Sequence, residues 1–403
     1  MLSAHASLGA TPSVTAAVPA AARKRVLVVH PRVTATGGGN AVAAWTLEAL
    51  RERCDVSLAT LEAVDFAAVN RSWGTSLRPG DFRVHRAPAG YRGLLDASPT
   101  SNALLEVCLM MRLARRLDRR EAYDVILGTQ NEADFGRRAI TYVHYPWVYL
   151  PRPQDELQWF HRIPGAVAAY RGLCQWLSGG SDEGLRRNVL VANSSYIAGL
   201  VRQVHGVDST VVFPPVTSEF PDIPWARRER ALVAVGRVHG SKRWEMAVAI
   251  VDELRRRGHA LGLTLVGHRD DAEYARRLER LAATRPWFRM RLDVSRDELS
   301  LAVASHRYGI HTMEKEHFGM GPAEILRAGC LLFAHSSGGP VEILGGESRL
   351  LFDDVRDAAD KLERMLSDAA LEAELRARMD ARRPLFTVEA FCAAMRDLVE
   401  RFA

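Results

Sequence analysis

The sequence predicts an α/β protein built from two doubly wound parallel sheets facing each other across a cleft. Its 403 residues exceed what one small core fills and suggest two domains. Short β-branched runs alternate with amphipathic stretches nearly from end to end, the pattern of right-handed crossover units around a parallel sheet. A Pro-rich stretch, Phe213–Trp225 (FPPVTSEFPDIPW), interrupts the alternation once, after which it restarts.

In the first half the strand-like runs are Arg25–His30, Asp55–Leu61, Asp124–Gln130, Ala139–Tyr145 and Asn188–Ser194. A glycine turn, Gly37–Gly39, follows the first of them, and an amphipathic helix over Asn40–Glu52 follows the turn. In the second half the runs are Ala231–Arg237, Leu263–Gly267, Phe288–Asp293, Tyr308–Thr312, Leu331–His335 and Arg349–Asp353, with a helix over Lys242–Arg257. Val388, Phe391, Cys392, Met395 and Leu398 keep helical spacing at the end of the chain. These signals divide the chain into a disordered leader (1–23), a first domain (24–212), a linker (213–227), a second domain (228–386) and a C-terminal helix (387–403) expected to return to the first domain.

Composition excludes several classes. Apolar and charged fractions of 47% and 25% are those of an ordinary globular protein. The formal charge of +6 and the preponderance of Arg fit a phosphate-bearing ligand or an anionic surface. No zinc-finger, RNP-like or basic-zipper pattern appears, so nucleic acid is not expected as a partner. Cys54, Cys108, Cys174, Cys330 and Cys392 are scattered, without a CxxC pair, which favours a reducing compartment. No apolar run reaches the roughly 20 residues of a membrane span. In the Ala-rich leader the basic residues Arg23–Arg25 come after the apolar stretch, the reverse of a secretory signal.

Several constellations carry chemistry. Arg237 ends a strand and Lys242 opens the next helix, in GRVHGSK. Two fixed cations there would stabilise a leaving diphosphate most as its bond breaks, although solvated surface charges explain the pair equally well. Glu316 and Glu324 flank seven residues in EHFGMGPAE. Gly319 and Gly321 permit close backbone approach, and Pro322 suits the first turn of a helix whose N-terminus can hold phosphate. Each carboxylate can accept hydrogen bonds from sugar or ribose hydroxyls. A carboxylate answering the helix dipole is the plainer account of Glu324.

Gly37, Gly38 and Gly39 form either a phosphate cradle or simply a tight strand-to-helix turn, the latter favoured by geometry alone. Ser336–Pro340 (SSGGP) is read with equal weight as an anion loop and as a plain turn. His144 ends a strand in TYVHYPW and would face the cleft, where it could bond a sugar hydroxyl; a satisfied structural histidine is the default. Between Trp147 and Trp176, Tyr149, Trp159, Phe160 and Tyr170 interleave with Arg152, Arg162 and Arg171. That mixture suits a membrane interface or a sugar platform, but aromatic stripes usually bury, which favours packing on the core. DxD, HExxH, GxSxG and GxxxxGK[ST] motifs are all missing, so no metal is expected and catalysis would lean on Arg, Lys and helix ends.

Together these pieces resemble the GT-B fold, family 4 retaining glycosyltransferases. Arg237 and Lys242 match that family's strand-end pair, and Glu316 and Glu324 its E-x7-E motif. The resemblance is closest to the dolichol-linked oligosaccharide α-1,2-mannosyltransferase type. It is carried by HPRVTATGGGN, YVHYP, NSSY with FPP, and GIHTMEKEHFGMGPAEILRAG with AHSSGGP. It implies that Arg237 and Lys242 hold the donor diphosphate, Glu316 the donor sugar and Glu324 the ribose. Gly37–Gly39 would pack on the diphosphate, and His144 would lie near the sugar. Gly236, Phe318, Gly319, Met320 and Gly321 complete the implied donor site. The implied partners are a nucleotide-sugar donor, GDP-mannose favoured over a UDP-sugar, and a glycan, glycolipid or small-molecule acceptor. No cofactor is implied. The chain is expected to be cytoplasmic, with peripheral contact to the cytoplasmic membrane face left open. The dolichol enzymes carry an N-terminal membrane span that this chain lacks, and Pro151–Asp182 shows no clear match, so the acceptor is not read. A non-catalytic sugar-nucleotide binding protein on the same scaffold, or an epimerase or phosphorylase, are the alternatives.

Overall fold

The computed structural model describes residues 23–96, 103–146, 148–150, 163 and 165–402. The leader (1–22), Trp147, Arg152, Trp159, Phe160 and Arg162 lie outside them.

Two parallel sheets organise the chain. The first contains β1 (Arg25–Val29), β2 (Asp55–Thr60), β3 (Arg83–Arg86), β4 (Val125–Gly128), β5 (Ile140–Val143), β6 (Val189–Ala192) and β7 (Thr210–Val211), in spatial order β3-β2-β1-β4-β5-β6-β7. The second contains β8 (Glu229–Val235), β9 (Leu263–Gly267), β10 (Phe288–Leu292), β11 (His306–His311), β12 (Leu331–His335) and β13 (Leu351–Phe352), in order β10-β9-β8-β11-β12-β13. The central runs are apolar on both faces, as parallel strands covered by helices must be; Val26, Leu27 and Val28, for example, are fully buried. The sequence signals miss β3 and β7. Both are short edge strands, and β3 (RVHR) is exposed and charged, so neither carries an apolar run.

Around the first sheet lie α1 (Gly38–Leu50), α2 (Phe66–Trp73), α3 (Ala89–Asp96), α4 (Ala103–Glu121), α5 (Ala166–Ser178), α6 (Asp182–Arg186) and α7 (Ser195–His205). Around the second lie α8 (Trp244–Arg256), α9 (Ala272–Ala283), α10 (Arg296–Ala304), α11 (Met320–Arg327), α12 (Gly339–Ile343), α13 (Val355–Ser367) and α14 (Ala369–Asp380), before the terminal α15 (Val388–Arg401).

α15 returns to the first sheet. Its Phe391, Cys392, Met395 and Val399 enter the core formed with Val42, Leu47 and Leu50 of α1. Each such burial is worth roughly 1.5–3 kcal/mol. Lys24 Nζ then donates to the carbonyls of Val399 and Phe402 at 3.1 and 2.8 Å, satisfying the end of α15 with a cation.

The Pro-rich stretch is pinned to the second sheet rather than hanging between the two. Val216 is fully buried in that core, and Phe213 stacks against Phe318 and Phe386 at 5.9 and 5.0 Å between ring centres. All five cysteines are buried free thiols.

One expectation fails. Of the described aromatic stripe, Tyr149 packs on the core beside His205, but the rest does not bury: Trp176 is 77% exposed and Leu173 52%, with Tyr170 also exposed. α5 packs on α4 through Cys174, Leu177 and Ser178 and turns Val167, Tyr170, Leu173 and Trp176 outward.

Candidate active site

In each sheet the strand order reverses once, between β1 and β4 in the first and between β8 and β11 in the second. Crevices at such points, beyond the carboxyl ends of the strands, are where open α/β sheets bind ligands. Here both reversals open onto one cleft of about 490 Å³. Every residue that the resemblance implied for the donor site lines it: Gly37, Gly38, Gly39 and His144 from the first unit; Gly236, Arg237 and Lys242 after β8; and Glu316, Phe318, Gly319, Met320, Gly321 and Glu324 after β11.

Glycines let the walls approach. Gly319 adopts φ +103° and forms the N-cap of α11. A Cβ on Gly321 would lie 2.3 Å from the Val235 carbonyl oxygen, so α11 reaches the end of β8 only because that position is glycine. Gly37, at φ +85°, begins α1, and the position of a Cβ on Gly39 is 3.4 Å from His144 Nε2. The glycine turn therefore sits beside His144 in the cleft wall.

The cations are already engaged. Lys242 lies in a single 3₁₀ turn (Gly240–Lys242) just before α8 rather than in the helix, and its ammonium donates to Glu316 Oε2. Arg237 Nη1 donates to Asp270 Oδ2 at 2.8 Å and remains 65% exposed. Burial pushes the Glu316 carboxyl upward, but the Lys242 charge and the neighbouring His311 outweigh it and hold the group far below the ordinary carboxylate range. His311 Nε2 is 3.3 Å from Glu316 Oε2, although off the line of a good hydrogen bond. Glu324 behaves oppositely. Burial raises its pKa, only partly offset by the hydrogen bond donated by Ser218 Oγ to its Oε1 at 2.9 Å and by the charge of Arg296. The two carboxylates of the pair thus sit in electrostatically distinct places.

His144 is a neutral imidazole. Burial lowers its pKa to about 4. Its Nε2 lies 3.0 Å from the Thr129 carbonyl, which can only accept, so Nε2 carries the proton and Nδ1 the lone pair. Asn131, at φ +57°, accepts from the amides of His144 and Tyr145 at 2.8 and 3.0 Å, fixing the strand end.

Ser336–Pro340 runs from the end of β12 into the start of α12 and does not line the cleft. Its backbone props the Glu316 loop: Gly339 N donates to the Glu316 carbonyl at 2.8 Å, and a Cβ on Gly338 would meet that same oxygen at 2.3 Å.

Sequence reasoning missed Asn193, His268 and His317 in the cleft wall. His317 stacks on Tyr145 at 4.1 Å between ring centres, and its carbonyl accepts from Ser194 Oγ at 2.6 Å. Ser195 N donates to Glu342 Oε2 at 2.6 Å. These contacts join the two units directly behind the Glu316 loop. NSSY was noticed as a motif, but the partners of its serines are more than 100 residues away in the chain, beyond any local pattern. No group of His, Cys, Asp and Glu that could hold a metal ion is present among the described residues. None of the described helices is long and apolar enough to cross a membrane.

Residues 216–383 match the family described as Glycosyl transferases group 1. The protein described as GDP-Man:Man(3)GlcNAc(2)-PP-Dol alpha-1,2-mannosyltransferase is 28% identical over 218 residues in both Mus musculus and Homo sapiens. That match covers 48% of this chain and 44% of each relative, so the chain spans less than half their length. Among solved structures, sucrose-phosphate synthase from Thermosynechococcus elongatus superposes with a TM-score of 0.65 at 16% identity, over 94% of this chain and 99% of that one. Anabaena HepE in complex with UDP and glucose gives 0.64 at 12% identity, over 94% and 100%. At such identities these likenesses establish the fold, which is GT-B. The second unit therefore matches the group 1 glycosyl transferases over residues 216–383, on a GT-B architecture, and the chain is distantly similar to the α-1,2-mannosyltransferases.

Proposed function

We propose that the protein is a retaining glycosyltransferase that moves a hexose from a nucleotide diphosphate sugar to an acceptor hydroxyl, with GDP-mannose as the donor. The observation that carries the reading is the convergence of Arg237, Lys242, Glu316 and Glu324 on one cleft, opposite Gly37–Gly39 and His144.

Arg237, Lys242 and the amides at the start of α11 form a cationic pole for a diphosphate. Charge develops on the leaving phosphate as the glycosidic bond breaks, and fixed donors stabilise it most at that moment. The ionised Glu316 accepts hydrogen bonds from hydroxyls of the donor sugar, and Glu324, bonded to Ser218, faces the ribose. Neutral His144 offers a lone pair to a sugar hydroxyl. The acceptor hydroxyl attacks from the face the diphosphate leaves, and its proton passes to the departing phosphate oxygen, so that neither a protein nucleophile nor a metal is needed. GDP-mannose is favoured because it stands in the names of the homologous mannosyltransferases. The acceptor, a glycan, glycolipid or small molecule, enters from the first unit.

Calorimetric titration of GDP and UDP into the intact protein and Arg237→Ala tests the reading. GDP preference, weakened in the variant, is the expected result. Preference for UDP would keep the activity and move the donor to a UDP-sugar. Binding of neither by folded protein would overturn it. Turnover in Arg237→Ala should fall by about 3 kcal/mol of transition-state stabilisation, on the order of a hundredfold. Tight donor binding without turnover on any acceptor would favour a binding protein.

A further inference from the structure

We propose that the outward face of α5 docks on an anionic lipid bilayer. Nine large apolar side chains are exposed among the described residues, and five of them fall between residues 163 and 176: Ile163, Val167, Tyr170, Leu173 and Trp176. A surface helix of a globular protein ordinarily turns charged residues outward. α5 has one charged side chain, Arg171, and it is committed inward, 3.0 Å from Asp182 and stacked 4.3 Å over the Tyr149 ring. Ala169, Gly172, Leu173 and Trp176 therefore make an outer arc without charge. At 13 residues the helix is too short to span a bilayer but suited to lie in its interface.

Basic groups fringe the arc. Arg112 of α4 reaches across to donate to the Leu177 carbonyl at 3.0 Å, which puts it at the Trp176 end of α5. Arg116 and Arg119 follow at helical spacing on the same exposed face of α4. The carboxylates of α4 are spent elsewhere: Glu106 pairs with Arg32, Asp118 with Arg137 and Glu121 with Arg25. Among the described residues no carboxylate pairs with Arg112, Arg116 or Arg119. An apolar arc ending in tryptophan and edged by unneutralised arginines is complementary to acyl chains beneath anionic headgroups. The basic fringe selects a bilayer over a second copy of this positively charged chain.

Co-sedimentation of the intact protein with vesicles tests the proposal, using phosphatidylcholine alone and phosphatidylcholine mixed with phosphatidylglycerol. Binding should require the mixed vesicles and weaken at high salt. Leu173→Ser with Trp176→Ser should lower it by roughly tenfold or more. Arg116→Gln and Arg119→Gln should each lower it roughly fivefold. All four positions are exposed, so thermal midpoint and nucleotide binding should stay at wild-type values. As an independent readout, brominated lipid should quench tryptophan emission in the wild type and less in Trp176→Phe. The proposal fails if the wild type ignores mixed vesicles at low salt, or if the serine variant binds as well. It also fails if light scattering shows a dimer that the serine variant dissolves, because the face is then covered by a second copy.

Discussion

Arg237 at the end of β8 and Asp270 beyond β9 form an ion pair of 2.8 Å on the edge of the second sheet, so the cation assigned to the diphosphate already has an anionic partner. Under that assignment a ligand phosphate competes with the carboxylate for the guanidinium. Because Arg237 is 65% exposed, the pair is worth no more than about 1 kcal/mol. Asp270→Asn should therefore leave the melting temperature nearly unchanged and tighten nucleotide diphosphate binding by up to about fivefold. Calorimetry checks it; weaker binding in the variant would mean that Asp270 positions Arg237 rather than competing for it.

Lys242 and Glu316 form the contrasting case, a pair with side chains only 14% and 13% exposed. Removing one partner strands the other, at a cost of about 3–5 kcal/mol. Lys242→Met should destabilise the protein on that scale as well as abolish turnover. The folded-state pKa of Glu316 is depressed, so its stabilising contribution is present above the ordinary value of 4.5 and is lost on acidification below it. The stability gap between wild type and Lys242→Met should be widest above that pH and shrink on acidification. Urea titrations across the range would show it, and a gap independent of pH would contradict the assignment.

His144 gives a second pH signature. Its pKa falls from 6.5 to about 4 on folding. Between those values the unfolded chain takes up a proton that the folded site refuses, so stability present above pH 6.5 is lost as the pH falls towards 4. One such histidine adds a slope of about 1.4 kcal/mol per pH unit within the window. His144→Gln, which can still donate to the Thr129 carbonyl, should flatten the profile by that order. His30, also lowered to about 4 by burial, and His306, His311, His317 and His335, shifted the same way by burial, would account for the slope that remains.

Gly321→Ala should press its methyl group into the Val235 carbonyl and push the start of α11 off β8. Loss of stability by a few kcal/mol and weakened nucleotide binding are expected together. Gly240→Ala, with nothing within 4 Å of its Cβ, is the control and should bind as the wild type does. Equal behaviour of the two variants would show that the close approach is not needed for the site.

Much of this protein was legible in its sequence. Parallel strands buried on both faces must be continuous apolar runs, so Val26–Val29 and Leu331–Phe333 announced themselves. The glycines at 37, 319 and 321 and the charged pairs after β8 and β11 were readable because strand ends and helix starts are local events. These local signals put Arg237, Lys242, Glu316 and Glu324 at the carboxyl edge of a sheet.

What the sequence left open was every question of partnership. Arg237 turning to Asp270, Lys242 closing on Glu316, and Ser194 meeting the carbonyl of His317 across 123 positions depend on which elements the two sheets bring together. The same holds for α5, whose aromatic stripe has the composition of a core helix and yet faces outward. Local chemistry sets which residues end a strand or cap a helix. Only tertiary packing sets how far a charge is withdrawn from water and what stands opposite it, and those two quantities decide ionisation, and with it what the cleft can do.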